Sequence, residues 1–317
     1  MEAWSLWTDK GRLFALLWLW TFSVSAAAMQ DVLIDGRSIH PESITADAAG
    51  ALYTGSMAGI IYRALPGEAK ATPFIKPDAG NGLQAVFGVL ADDRSGRLYV
   101  CSVANPFAPR GAQVPPPSAV VAFDLRSGRF AGRWAFPAPS GVCNDIAVSR
   151  DGSLYATDTS GGRILKLAPG AVTLTVAAQA DALKGIDGIA FDSDGTLYVN
   201  IVTTGQMLRV ALGDRPDNAL LTALQVDRKL EGPDGLRPLD AHRFVQAEGT
   251  SGRITTVTIQ GDTAHVTVLR EGLNSSPGVT VVGKTVYAIE GKIGYLVDPA
   301  LRGQDPGEFK IRAISLQ

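Results

Sequence analysis

A short motif, Gly-x-Leu-Tyr, recurs along the chain and constrains the fold more than any other feature. It occurs four times, ending at Tyr53, Tyr99, Tyr155 and Tyr198. Two degenerate copies follow, around Phe244-Val245 and in a stretch that ends at Tyr287. The six aromatic positions lie 43 to 56 residues apart, which is the spacing of the blades of a β-propeller.

Each repeat predicts four strands. An alternating apolar run precedes every motif, an Asp/Gly turn separates the run from the Leu-Tyr pair, and a further alternating run follows. The sequence therefore predicts an all-β fold, a six-bladed β-propeller with four-stranded blades, formed as one domain by residues 29–317. A pair of β-sandwiches is the alternative, but two sandwiches would not need one shared period. Either residues 31–37 or residues 309–316 could complete the last blade.

The first 28 residues have the pattern of a cleaved signal peptide. Lys10 and Arg12 precede an uncharged stretch, residues 13–28, which ends in three alanines. This stretch is shorter than the roughly 20 apolar residues that a spanning helix needs, so an uncleaved anchor is the less favoured interpretation. We expect a periplasmic or secreted protein with no membrane association after cleavage.

Composition excludes several classes of protein. The chain carries 29 Lys and Arg against 31 Asp and Glu, for a net charge of −2, so it lacks the basic surplus of a nucleic-acid binder. Three His and two Cys are too few for zinc fingers or iron–sulfur clusters. We expect a monomer that acts on a small-molecule substrate.

Aligning the repeats indicates a candidate metal site. In a propeller the first strand of each blade lines the central channel, so the residue eight positions before each turn glycine should face the axis. These positions, with the aligned residues of the last two units, are Glu42, Gly88, Asn144, Asp187, Asp234 and either Ser276 or Pro277. Their oxygen ligands suit Ca²⁺ best, Mg²⁺ or Mn²⁺ next, and Zn²⁺ least without His or Cys. A solvated polar channel mouth is the alternative.

The motifs around Glu42, Asn144-Asp145, Asp187-Gly188 and Pro233-Asp234-Gly235 resemble those of the SMP-30/gluconolactonase/LRE-like family of six-bladed, metal-dependent lactonases. The resemblance implies that Glu42, Asp187 and Asp234 bind the metal, with Asp187 replacing the family's Asn. It also implies that Asn144 contacts the substrate or the metal-bound water, so Asn144 is a candidate catalytic and substrate-binding residue as well as a candidate metal ligand.

By this resemblance the protein would be an exported hydrolase that opens a lactone or related ester. The cation would polarise the carbonyl while Asp234 takes a proton from the attacking water.

The longest insertion, residues 101–118, follows the second strand of the second unit and should overhang the site. We expect it to form a lid in which Asn105, Phe107 or Arg110 reaches the substrate; a surface loop without function is the alternative. Cys101 and Cys143 should lie toward the same end of the channel, where an oxidising compartment would allow a disulfide. Two unpaired buried thiols remain the alternative.

Two further classes of function stay open. One is a non-catalytic propeller that binds a small ligand or an envelope protein, because fold alone does not determine function. The other is a lyase on the same fold, as in strictosidine synthase. The loops that would select a substrate carry no transferable pattern, so the sequence does not name the lactone.

Overall fold

The computed structural model describes residues 1, 29–108, 115–139 and 141–316. The predicted signal peptide therefore lies outside the described residues, apart from Met1, and so does Arg110. No helix in the described ranges is both long enough and apolar enough to cross a membrane.

Strands make up most of the regular structure. Numbered in chain order, they are β1 (Val32–Ile34), β2 (Ile44–Ala46), β3 (Leu52–Thr54), β4 (Ile61–Ala64), β5 (Lys70–Ile75), β6 (Ala85–Asp92), β7 (Arg97–Val103), β8 (Ala119–Asp124), β9 (Phe130–Ala135), β10 (Cys143–Val148), β11 (Leu154–Asp158), β12 (Arg163–Leu167), β13 (Thr175–Gln179), β14 (Ile186–Phe191), β15 (Leu197–Ile201), β16 (Gln206–Ala211), β17 (Leu220–Ala223), β18 (Gln225–Val226), β19 (Pro233–Asp240), β20 (Arg243–Glu248), β21 (Arg253–Gln260), β22 (Thr263–Arg270), β23 (Val279–Val282), β24 (Thr285–Ile289) and β25 (Phe309–Ser315). The helical segments in the described ranges are two 3₁₀ turns and one short helix, Asp181–Leu183, Pro216–Asn218 and α1 (Gly294–Val297).

The strands pair within successive units, as the repeat predicts. Antiparallel meanders join β2 to β5, β6 to β9, β10 to β13, β14 to β17 and β19 to β22, and β23 to β25 begin the last unit. The short strand β18 adds a parallel edge to β22. Each unit is thus built from neighbouring stretches of chain, which explains why one motif spacing runs through the sequence.

The last unit takes strands from both ends of the domain. Its third strand is β25, and β1 pairs antiparallel with β25 through Val32 and Ile311. The same β1 pairs in parallel with β5, through Leu33 and Lys70, so the first and last units share one eight-stranded sheet. Both segments that the sequence left open, 31–37 and 309–316, therefore contribute a strand.

The Leu-Tyr pair holds neighbouring units together. Adjacent residues of a strand point to opposite faces, so Leu154 packs toward the preceding unit while Tyr155 packs toward the following one. Leu197 and Tyr198 repeat this arrangement one unit later. The buried apolar clusters of the described residues lie mainly between two neighbouring units, although the cluster that contains Leu154 also includes Met57 of the first unit. Burial of these side chains is the main stabilising contribution to the docking of the units.

The first strands of the units lie side by side in the cyclic order β2, β6, β10, β14, β19, β23 and back to β2. Glycine allows this close approach. A Cβ on Gly188 would lie 2.1 Å from the Asp234 carbonyl oxygen, and one on Gly88 would lie 2.3 Å from the Asn144 carbonyl oxygen. The innermost strands therefore converge, and side chains at their ends meet.

Candidate metal centre

Three of the first strands present a side chain to the axis from a β-bulge. In β10, β14 and β19 the ladder register shifts after the first residue, and the residues released from regular pairing include Asn144, Asp187 and Asp234. A bulge re-aims a side chain that a regular strand would direct elsewhere. Glu42 reaches the same region from the segment just before β2.

The ring position of the second unit is Phe87, so the sequence-based assignment of Gly88 is wrong. The β6–β7 hairpin has one residue more than the β10–β11 hairpin, because six residues separate the paired Ala91 and Leu98 and five separate the equivalent Val148 and Leu154. Counting back from Gly96 therefore misses by one residue. Gly88 instead packs against the backbone of Asn144. In the sixth unit, where the sequence allowed two residues, the ladder places Pro277 at the ring position.

Glu42, Asp187 and Asp234 form a compact carboxylate cluster. One ligand oxygen from each lies within 4.8 Å of the others. Glu42 and Asp187 are buried and Asp234 is half-buried. Carboxylate oxygens that converge at this separation form the donor set that a hard divalent cation prefers, so these residues fit a divalent metal.

Asn144 completes the oxygen-rich side of the ring. Its amide nitrogen donates to Asp187 Oδ2 at 2.9 Å and to Thr159 Oγ1 at 3.0 Å. Both bonds use Nδ2, which fixes the orientation of the amide. The side-chain oxygen of Asn144, Oδ1, makes no hydrogen bond with the described residues and is therefore available as a fourth metal ligand.

A buried arginine lies beside the carboxylates, a feature that the sequence reasoning missed. Arg237 Nη1 lies 2.7 Å from Asp145 Oδ2, and Arg237 Nη2 lies 2.9 Å from Asp145 Oδ1, so the ion pair is bidentate. The guanidinium also contacts Ser43 Oγ at 3.4 Å and the Val89 carbonyl oxygen at 3.3 Å. One side chain of the fifth unit thus binds residues of the first, second and third units.

A sequence signal for Arg237 did exist. It lies three residues after Asp234, at a strand position where the third and fourth units have Ala147 and Ala190. A long cation in place of alanine on an inner strand needs a buried acceptor, because an unpaired buried charge is very costly.

Burial and mutual repulsion shift the pKa values of the carboxyls upward. Burial raises the pKa of Asp187 to about 7, against the opposing effect of its hydrogen bond with Asp234. Burial, and then the charges of Asp187 and Asp145, raise the pKa of Glu42 well above its usual value. Burial, and then the charges of Asp187 and Glu42, do the same for Asp234. The cluster without metal therefore favours bound protons, and a divalent cation would replace them.

The structure places the remaining predicted residues as follows. Cys101 and Cys143 form a disulfide with Cα atoms 5.2 Å apart, and Cys143 directly precedes Asn144. Asn105 donates from Nδ2 to the Met57 carbonyl oxygen at 3.2 Å, so its amide anchors the loop. Arg110 lies outside the described residues.

Solved structures of low sequence identity share the fold. Over 90% of this chain and 96% of the other, the allergen Mala s 1 of Malassezia sympodialis matches with a TM-score of 0.68 and 14% identity. A luciferin-regenerating enzyme matches over 88% and 94%, with a TM-score of 0.63 and 12% identity. Virginiamycin B lyase from Staphylococcus aureus matches over 91% and 99%, with a TM-score of 0.59 and 12% identity.

At such identities the match shows a β-propeller fold and no particular activity. No curated protein matches the sequence.

The family comparison agrees with the carboxylate motifs. The SMP-30/Gluconolactonase/LRE-like region matches residues 22–226, which include Glu42, Asn144 and Asp187. The match covers more than half of the chain, and the motif resemblance continues beyond it to Asp234. The chain therefore belongs to the SMP-30/gluconolactonase/LRE-like family.

Proposed function

We propose that this protein is a divalent-metal-dependent hydrolase that opens a lactone or a related ester at the axis of a six-bladed propeller. One observation carries the proposal, the convergence of ligand oxygens from Glu42, Asp187 and Asp234 within 4.8 Å of one another. Family membership supports it, and so does the cyclic order of the six first strands.

Glu42, Asp187 and Asp234 would hold the metal, with the Asn144 amide oxygen as a fourth donor. All of these donors are oxygens, which favours Ca²⁺ over Mg²⁺, Mn²⁺ or Zn²⁺. A cation bound there supplies Lewis acidity that polarises a carbonyl group.

The chain's own residues divide the remaining work. Asp234 is the most accessible of the three carboxylates and would accept a proton from the attacking water as general base. Asn144 Nδ2 orients Asp187 by donating to it. Arg237 neutralises Asp145 and binds residues of three other units, so the ring keeps its spacing when charge develops.

We propose further that the chain is exported and acts as a monomer on a small molecule, without binding nucleic acid. The basic and apolar order of residues 1–28 supports export, and the Cys101–Cys143 disulfide is typical of an oxidising compartment. The near-neutral charge of the chain argues against binding to phosphate backbones.

A lactone panel followed at constant pH tests the function. The protein is assayed after treatment with EDTA, after addition of Ca²⁺, and as the Asp234→Asn variant. We expect hydrolysis that is lost on chelation, restored by the cation and lowered at least about a hundredfold in the variant. A protein that binds no metal and hydrolyses no lactone would instead support a non-catalytic binding propeller.

A further inference from the structure

A fully buried polar pair interrupts the apolar packing between the fourth and fifth units. Gln246 of β20 lies directly opposite Thr255 of β21, and both residues are 0% exposed. They lie on the face that packs against the fourth unit, because Phe244 and Val257, each two positions away, belong to the apolar cluster between these units. Polar side chains are therefore buried where apolar ones stabilise the docking of the units.

The equivalent cross-strand pair is apolar in the three preceding units. In each unit it consists of a second-strand residue, which also pairs with the first strand two positions after the ring residue, and its partner on the third strand. The second, third and fourth units have, in order, Val100–Val121, Ala156–Leu165 and Val199–Leu208. The first unit has Thr54 there, and its hydroxyl donates to the Ser43 carbonyl oxygen at 2.7 Å. The fifth unit thus departs from the repeat with polar groups that the other units avoid or pair.

Four polar atoms on these facing surfaces have no partner among the described residues. They are Nε2 and Oε1 of Gln246, Oγ1 of Thr255 and Oδ1 of Asn200, and all four are buried. Asn200 faces the fifth unit because Tyr198, two positions earlier in β15, belongs to the same apolar cluster. An unpaired polar atom in a dry interior is strongly destabilising. These atoms therefore need a partner that the described part of the chain does not supply.

Asn200 connects this polar layer to the candidate metal centre. Its Nδ2 donates to the Asp234 carbonyl oxygen at 2.9 Å. Because a carbonyl oxygen only accepts, this bond fixes which end of the amide is nitrogen and leaves Oδ1 as the end without a partner. The orientation of Asn200, and with it the main chain of Asp234, depends on what Oδ1 binds.

The mixture of donors and acceptors matches water. Gln246 Nε2 and the Thr255 hydroxyl can donate, whereas Gln246 Oε1 and Asn200 Oδ1 only accept. A buried water molecule both donates and accepts, and it typically makes about three hydrogen bonds to groups that would otherwise be unpaired. A cation would meet the N–H groups of Gln246. Glu248, the acid two positions along the same strand face, is already paired with Arg253 Nη2 at 2.6 Å.

We propose that Gln246, Thr255 and Asn200 form an internal site that binds ordered water between the fourth and fifth units, and that this water positions Asn200 against the main chain of Asp234. Gln246 acts through the water and Asn200, so it is a positioning residue and not a metal ligand. The water site is separate from the carboxylate cluster and does not depend on the proposed function.

A high-resolution crystal structure of the protein tests the site directly. We expect a solvent peak within about 3.2 Å of the Gln246 amide and of either Thr255 Oγ1 or Asn200 Oδ1. A direct hydrogen bond from Gln246 to one of these residues, with no solvent peak at any of them, would overturn the proposal. So would the anomalous signal of a bound K⁺ at the site.

Two nearly isosteric substitutions give a test that depends on the sign of the effect. Gln246→Met and Thr255→Val remove polar atoms and keep most of the side-chain volume. If water pairs these atoms, each substitution takes a partner from the water and should lower the urea midpoint, as Thr54→Val should by losing its bond to Ser43. If the atoms are unpaired in a dry interface, each substitution removes a destabilising group. An unchanged or raised midpoint for both variants would therefore contradict the water site.

Calcium affinity tests the positioning role. Gln246→Met should raise the Kd for Ca²⁺ about tenfold, because residues that orient metal ligands from behind typically change metal affinity by about 10–100-fold. The matched control is Val121→Ala, at the equivalent pair of the second unit, which should lower the midpoint and leave the affinity unchanged. The same Kd for wild type and Gln246→Met would show that the water does not position Asn200. If wild type binds no metal, the proposed function fails, while the solvent peak and the midpoints still decide the water site.

Discussion

Replacing Asp187 by asparagine should stabilise the metal-free protein at neutral and basic pH. The side chain is 5% exposed and lies among Glu42, Asp234 and Asp145. Asparagine has the same shape, can accept the hydrogen bond from Asn144 through its own carbonyl oxygen, and carries no charge. The substitution therefore removes one buried negative charge with little change in packing.

The size of the effect follows from the pKa of Asp187. Burial raises this pKa from 3.8 to about 7 in the folded protein, so the folded state holds a proton that the unfolded chain has already released. The stability associated with that proton is fully present below pH 3.8 and is lost as the pH rises to 7. A difference of about three pKa units corresponds to roughly 4 kcal/mol in the free energy of unfolding. Wild type loses this contribution as the pH rises, whereas the asparagine variant does not.

Urea unfolding in EDTA at pH 4, 5, 6, 7 and 8 measures this difference. We expect wild type and variant to be nearly equal at the lowest pH. The variant should gain on wild type by about 1.4 kcal/mol per pH unit until the difference levels off near pH 7. Asp217→Asn is the control, because that side chain is 73% exposed and does not belong to the carboxylate cluster.

Parallel stability curves for Asp187→Asn and wild type would refute the reasoning, because they would mean that Asp187 is ionised in the folded metal-free protein at no cost. Excess Ca²⁺ should also reverse the ranking at pH 8. The cation compensates the carboxylate charge in wild type, whereas the variant offers it only a neutral amide oxygen at this position.

Three further changes test the framework around the site. Arg237→Met should lower the free energy of unfolding by about 3–5 kcal/mol because it leaves Asp145 charged and buried. Adding Asp145→Asn should recover part of the loss. A double variant whose loss of stability equals the sum of the two single losses would contradict the ion pair. Gly188→Ala should lower the melting temperature and weaken metal binding, because its Cβ would lie 2.1 Å from the Asp234 carbonyl oxygen; wild-type values for both would show that the strands can separate. Cys143→Ser should cost about 2–4 kcal/mol in denaturant unfolding, and the same midpoint for the variant and the non-reduced wild type would exclude the disulfide.

The repeat made the unit organisation predictable from sequence. Leu154 and Tyr155 alternate between two faces, and each face packs on a different neighbour, so the motif records contacts that every unit must make. The way in which the last unit is completed was harder to predict from sequence. The strand β1 has only three residues, and its pairing with β25 and β5 joins segments that are far apart in the chain. Local patterns carry no information about such pairing.

Alignment of the sequence repeats predicted that the proposed metal ligands share one ring, but it assigned Gly88 instead of Phe87 to the second ring position. Counting back from turn glycines works where the hairpins have equal length, as for Asn144 and Asp187. It missed Phe87 because the β6–β7 hairpin has one more residue between its equivalent paired positions. Arg237 was missed because only the folded ring brings it to Asp145, which lies 92 residues away in sequence. Asn105 was expected at the substrate; its amide donates to the Met57 carbonyl oxygen, and its role at the substrate stays a prediction.

Calcium titration of EDTA-treated protein, with binding and lactone hydrolysis followed in the same samples, tests the central claim most directly. We expect one ion bound per chain and an activity curve that rises in proportion to the bound ion, with both lost in Glu42→Gln. Hydrolysis that is complete before any ion binds, or one bound ion per chain in the Glu42→Gln variant, would contradict the assignment of this carboxylate cluster as the metal centre.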